Sequence, residues 1–131
     1  MKYLLDINTL IALAHSAHVH HTRAAAWYQS VQKSATGFCT SAITELGFVR
    51  VAVQTTLQID VPSARKALAG FKASSHFPIE ILGDSLGVDQ LPTFARTPNK
   101  LTDGHLLELA RKHGAVFVTL DTGIPGALLV P

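Results

Sequence analysis

Cysteine occurs once, at Cys39, so no disulfide can close within the chain and a multi-cysteine metal site is excluded. That suits a reducing compartment. No apolar run approaches the roughly 20 residues of a membrane-spanning helix. Charge is sparse as well. Asp, Glu, Lys and Arg make up 15% of residues, and the formal net charge is +2. So mild a positive balance permits a nucleic-acid partner but does not single one out. The cations are scattered, and the pairs Arg65-Lys66 and Arg111-Lys112 read as solvated helix faces. Lys2 followed by apolar and small residues faintly imitates a secretory leader, but Asp6 and Asn8 interrupt the apolar stretch. The expectation is a cytoplasmic protein with no membrane association.

What is present is a globular interior. Hydrophobic residues make up 47% of the 131 positions, enough to build the core of one compact domain over residues 1–131. "KYLL", "TGFCTS", "IEIL", "AVFVTL" and "ALLV" read as short strands. Between them lie helical patterns. Asn8 or Thr9 is expected to cap a short helix through "LIALA", and a second helix is expected from Thr22 to about Lys33, with Trp27 in a core or a dimer interface. Ser41 caps a third, in which Ile43, Leu46, Val49 and Val53 recur at three- and four-residue steps and should face the core. Asp60 and Pro62 open a fourth. Thr102 should cap a fifth, with Leu101 and Leu106 as a hydrophobic staple, and Gly114 should end it. The stretch from Ser74 to Pro98 is broken by prolines and glycines. Strand–helix alternation with fully apolar strands predicts an α/β fold, a parallel sheet covered on both faces.

Two of the apolar strands stop on a carboxylate: "YLL" on Asp6 and "VTL" on Asp121. Glu45 follows another strand, in the first turns of its helix, and Asp103 stands at the start of the last helix. In parallel α/β sheets these positions share the rim beyond the strands' carboxyl ends, where sites form. Each acid alone has an ordinary role as a capping or turn residue. Together they would repel one another and raise one another's pKa unless a cation joins them. Hard cations such as Mg²⁺ or Mn²⁺ prefer carboxylate and water oxygens, and that combination supports phosphodiester hydrolysis without a nucleophilic side chain. Asn8 could orient a carboxylate or a water. Thr119 points to the same side of its strand as Asp121, where its hydroxyl could support the site.

The segments "LLDINTLIALA", "TSAITELGFVR", "TDGHLLELARKHG" and "FVTLDTGI", in this order, resemble the PIN-domain family, and more closely the VapC-type toxins of bacterial toxin–antitoxin systems. The resemblance covers nearly the whole chain, including "HHTRAAAW". It implies a three-layer fold with a short parallel sheet between helices. It also implies that Asp6, Glu45, Asp103 and Asp121 form a catalytic, metal-binding quartet supported by Asn8 and Thr119, with Arg50 at a basic position common in the toxins. The implied activity is Mg²⁺- or Mn²⁺-dependent endoribonuclease. The implied partners are an RNA substrate, a cognate antitoxin, and a second copy in a homodimer or toxin–antitoxin hetero-oligomer. Two positions depart from the pattern: Thr122-Gly123 where many PIN domains have a further acid, and Gly104 directly after Asp103.

Arg96, Lys100 and His105 are candidate RNA contacts beside Asp103. His18, His20 and His21 lack a cysteine partner and read as a solvated, partly capping cluster rather than a zinc site. Two other functions compete with the nuclease. One is a catalytically silent PIN-fold module that binds an antitoxin or RNA. The other is a receiver-like phosphoacceptor domain, which also gathers acids around Mg²⁺ but wants adjacent acids after the first strand and a late lysine. Here Ile7 separates Asp6 from Asn8, and no lysine follows Lys112.

Overall fold

The computed structural model describes residues 1–131. Along the chain run β1 (Lys2–Leu5), α1 (Ile7–Ala14), α2 (His21–Val31), β2 (Gly37–Ser41), α3 (Ala42–Gln54), α4 (Val61–Ser74), β3 (Ile79–Leu82), α5 (Leu101–Lys112), β4 (Ala115–Thr119) and β5 (Leu128–Leu129). Short 3₁₀ turns at Val88–Gln90 and Pro98–Lys100 punctuate the long connection before α5. The strands lie in the order β3-β2-β1-β4-β5, and every neighbouring pair is parallel. All carboxyl ends therefore open on one edge. The chain builds outward from β1 to β2 and β3, then returns to β4 and β5 on the other side. β1 thus stands at the topological switch point, where α/β sheets form their crevices.

Side-chain alternation along the strands divides the interior into two cores. Tyr3, Leu5, Phe38 and Val118 point toward α1–α4 and pack with Leu10, Ile11, Trp27, Phe48 and Leu68. Leu4, Cys39 and Phe117 point the other way, onto Leu106, Leu107, Leu109 and Ala110 of α5. This is the three-layer arrangement expected for apolar strands buried on both faces. Trp27 belongs to the first core, edge-on to Tyr3. Burial pushes the Cys39 thiol up to about 12, so the lone cysteine is a packing residue and not a reactive one. No helix is long and apolar enough to cross a membrane.

Local details differ from the sequence reading in instructive ways. Asp6, not Asn8 or Thr9, caps α1: its carboxylate accepts the Asn8 N–H at 2.6 Å. Ser41 does cap α3, in a reciprocal box with Thr44, and Asp60 caps α4 with Pro62 in its first turn. α5 begins at Leu101, so Thr102 lies inside the helix, Asp103 is its third residue, and Lys100 precedes it without a side-chain cap. Leu101 is 43% exposed and takes no part in a staple. Gly114, at φ +65°, ends the helix as expected. The α3 stripe is the main correction. The face turned inward carries Thr44, Gly47, Phe48 and Ala52, whereas Leu46 is 68% exposed. Ile43 and Val49 do pack against the two cores, but Leu46, Val49 and Val53 line an open groove of about 1040 Å³ together with Val61, Leu68 and Ile81.

Candidate active site

Asp6 leaves β1 on the sheet's carboxyl edge, and its backbone N–H extends the ladder to the Val118 carbonyl at 3.0 Å. One turn into α5, Asp103 approaches from the same side. Asp121 follows β4 after one intervening residue. The three carboxylates converge, with one oxygen from each lying within 4.8 Å of the others. They line a cleft of about 510 Å³ with Asn8, Ile43, Leu46, Arg50, Asn99 and Thr102.

Asp6 is the buried member and the most tightly held. Its Oδ1 accepts the Asn8 N–H. Its Oδ2 accepts the Thr119 hydroxyl at 2.6 Å, and Thr119 Oγ1 in turn accepts the Asp121 N–H at 3.0 Å. Thr119 therefore joins the carboxylate at the end of β1 to the backbone of the acid that follows β4. The Asp6 carboxyl is pushed up from 3.8 to about 6. Burial is the largest cause, and the charges of Asp121 and Asp103 add to it, while the bonds from Thr119 and Asn8 oppose it. Asp103 is also raised, by burial and then by Asp121, with Lys100 acting in the opposite direction. The Lys100 ammonium lies 3.2 Å from where a Cβ on residue 123 would stand. It is close enough to moderate this negative charge, and the glycine leaves it room.

Gly104 has a packing reason. A Cβ there would come within 2.7 Å of the Ala95 Cβ and 3.2 Å of Pro92. The connection before α5 thus presses directly on the turn that carries Asp103. The departure at Gly104 is a close approach that only glycine allows.

The family model for the PIN domain matches residues 3–126. The chain belongs to the PIN-domain family. It is 36% identical over 124 residues to Ribonuclease VapC38 of Mycobacterium tuberculosis, spanning 92% of this chain and 86% of that protein. To Ribonuclease VapC44 of the same species it is 37% identical over 139 residues, spanning 97% and 94%. These relatives make it a VapC-type PIN domain. Among solved structures, PAE2754 from Pyrobaculum aerophilum superposes with a TM-score of 0.62 at 20% identity, covering 99% of this chain and 90% of that one. Mycobacterium tuberculosis VapC20, described as a sarcin-ricin loop cleaving toxin, gives 0.59 at 14% identity, covering 92% and 88%. At those identities the likeness speaks for the fold. Membership in this family sets aside the receiver-like alternative.

The PIN domain does not bring every candidate residue together. Glu45 stands apart from the three aspartates. Its Oε2 accepts the Thr40 hydroxyl at 2.5 Å and the Lys72 ammonium at 2.6 Å, on the side of α3 that faces the groove. His105 is turned away too. Its Nε2 meets Asp84, whose carboxyl would be raised by burial but is held low by that bond and by the Leu86 N–H. Arg96 is exposed and does not line the cleft. Arg50 is exposed and borders both the cleft and the groove. Sequence reasoning missed Lys72 and Asn99. Lys72 lies 27 positions from its partner on a different helix, and nothing in the spacing announces the pair.

Proposed function

We propose that this PIN domain is a divalent-cation-dependent endoribonuclease and the toxin of a toxin–antitoxin pair. The observation that carries the reading is the convergence of Asp6, Asp103 and Asp121 at the switch point of the sheet. Three carboxylates offer only hard oxygen donors, and ionising all of them without a counter-charge is unfavourable; burial raises Asp6 most, and the charges of Asp121 and Asp103 add to it. The set fits Mg²⁺ or Mn²⁺ and lacks the thiolate or imidazole that would favour zinc. Asp6, Asp103 and Asp121 would hold the ion. When bound, it supplies positive charge for the scissile phosphate and a more acidic water for attack on it. The chain's own groups do the rest. Thr119 and the Asn8 N–H orient Asp6, and the Asp121 backbone is tied to the same hydroxyl. Arg50 lines the cleft and the charge of Lys100 reaches Asp103, so both offer cations to substrate phosphates. Relatives named as ribonucleases support RNA as the substrate class.

Partner binding falls to the groove between α3 and α4. It is apolar along its floor and carries Arg50, Arg65 and Lys72 at its margins. An amphipathic helix of the cognate antitoxin with acidic flanks would fit it. A homodimer or toxin–antitoxin hetero-oligomer in the cytoplasm completes the reading.

The test is purified protein incubated with RNA and Mg²⁺ or Mn²⁺. Cleavage should require the cation, disappear in excess chelator, and be lost in Asp121→Asn. Undiminished cleavage in chelator or in that variant would refute the mechanism.

A further inference from the structure

Glu45 stands outside the acid cluster and pairs with a residue of another helix. Thr40, fully buried in β2, and Lys72, near the end of α4, both donate to the same Glu45 oxygen. One end of this clamp is fixed in the sheet. The other is a flexible amine, its side chain 27% exposed, at the margin of the groove. Ile43 and Leu46, on either side of Glu45 in the first turn of α3, line the aspartate cleft, and Leu46 lines the groove as well. That turn is the wall between the two, and the Glu45 carboxylate stands on its groove side.

Electrostatics explains the placement. A fourth carboxylate turned toward three others meets their repulsion. Lys72 offers the opposite charge instead. A divalent cation among the aspartates would reverse that preference, because it attracts a further hard oxygen donor. We propose that Lys72 is a positioning residue that holds Glu45 away from the metal-binding aspartates, so that Glu45 joins them only by giving up this ion pair. The proposal rests on the metal reading of the cleft given above.

The experiment is Mn²⁺ titration by isothermal calorimetry on the full chain, with thermal unfolding of each variant as a check on folding. Lys72→Met should bind Mn²⁺ roughly fivefold more tightly than the unsubstituted protein, the scale of a partly exposed ion pair removed from competition. The gain should vanish when Glu45→Gln is added, and Lys72→Arg, which can keep the pair, should stay near the unsubstituted value. Should Lys72→Met fold poorly, Lys72→Gln serves the same comparison. A gain that persists in the Glu45→Gln background would show that Lys72 acts through its charge alone and would overturn the proposal, as would no gain at all. Mn²⁺ binding that is lost in Asp6→Asn upholds the metal reading whichever way the Lys72 comparison falls. An unsubstituted protein that binds no Mn²⁺ would overturn both.

Discussion

Thr119 Oγ1 lies 2.6 Å from Asp6 Oδ2 while accepting the Asp121 N–H at 3.0 Å, so one buried hydroxyl ties the carboxylate that follows β1 to the backbone of the acid that follows β4. Thr119→Val preserves shape and removes the donor. It should lower stability by about 1–3 kcal/mol, the cost of leaving a buried polar group without its partner. It should also weaken Mn²⁺ binding about tenfold or more, as losing a group that supports a metal ligand does. Thr119→Ser should restore both. Chemical denaturation and calorimetry on the pair check this.

The buried Asp6 ties stability to pH. Its folded-state pKa, about 6, stands above its ordinary 3.8, so the folded chain holds this proton more tightly than the unfolded chain does. The resulting stabilisation is fully present below pH 3.8, declines as pH rises, and is gone once pH has passed through 6. The loss amounts to about 3 kcal/mol. Metal-free protein should therefore be more stable near pH 5 than near pH 8 in this contribution, and Asp6→Asn should flatten the difference. Saturating Mn²⁺ should restore stability at pH 8, since it binds only the folded chain. Denaturant titrations across this range, with and without cation, measure both effects.

Gly104→Ala places a methyl group 2.7 Å from the Ala95 Cβ. Relief requires the Pro92–Ala95 segment or the start of α5 to move, at a cost of about 1–3 kcal/mol. Because Asp103 precedes Gly104, Mn²⁺ affinity should fall together with the melting temperature. A helix-propensity view predicts the opposite, a gain from replacing glycine, so the sign of the change decides between them.

The groove between α3 and α4 should fail to hold an antitoxin when its apolar walls are charged. Val53→Asp combined with Val61→Asp should weaken capture of the cognate antitoxin by more than about tenfold, measured by co-purification, with thermal unfolding as the folding check.

The parallel sheet and its rim were legible because the signals are local. A strand of apolar residues ending on Asp6 or Asp121 states both its direction and its end, and Thr119 follows from a two-residue period. The fate of Glu45 was not legible, because it depends on Lys72 arriving from another helix. The α3 stripe misled for a related reason. Periodicity shows that Leu46, Val49 and Val53 share a face but not what covers it. The true inward face, Thr44, Gly47, Phe48 and Ala52, is small and partly polar, so it carries almost no hydrophobic signal. Asp6 shows that a capping role and a site role need not compete, since one oxygen caps α1 while the other meets Thr119.

Asp6, Asp103 and Asp121 should together hold a divalent cation. Crystals grown with Mn²⁺ and measured for its anomalous scattering test it directly. The expected result is a strong peak in contact with the carboxylates of Asp6, Asp103 and Asp121. A peak elsewhere, or none at a concentration that supports RNA cleavage, would contradict it.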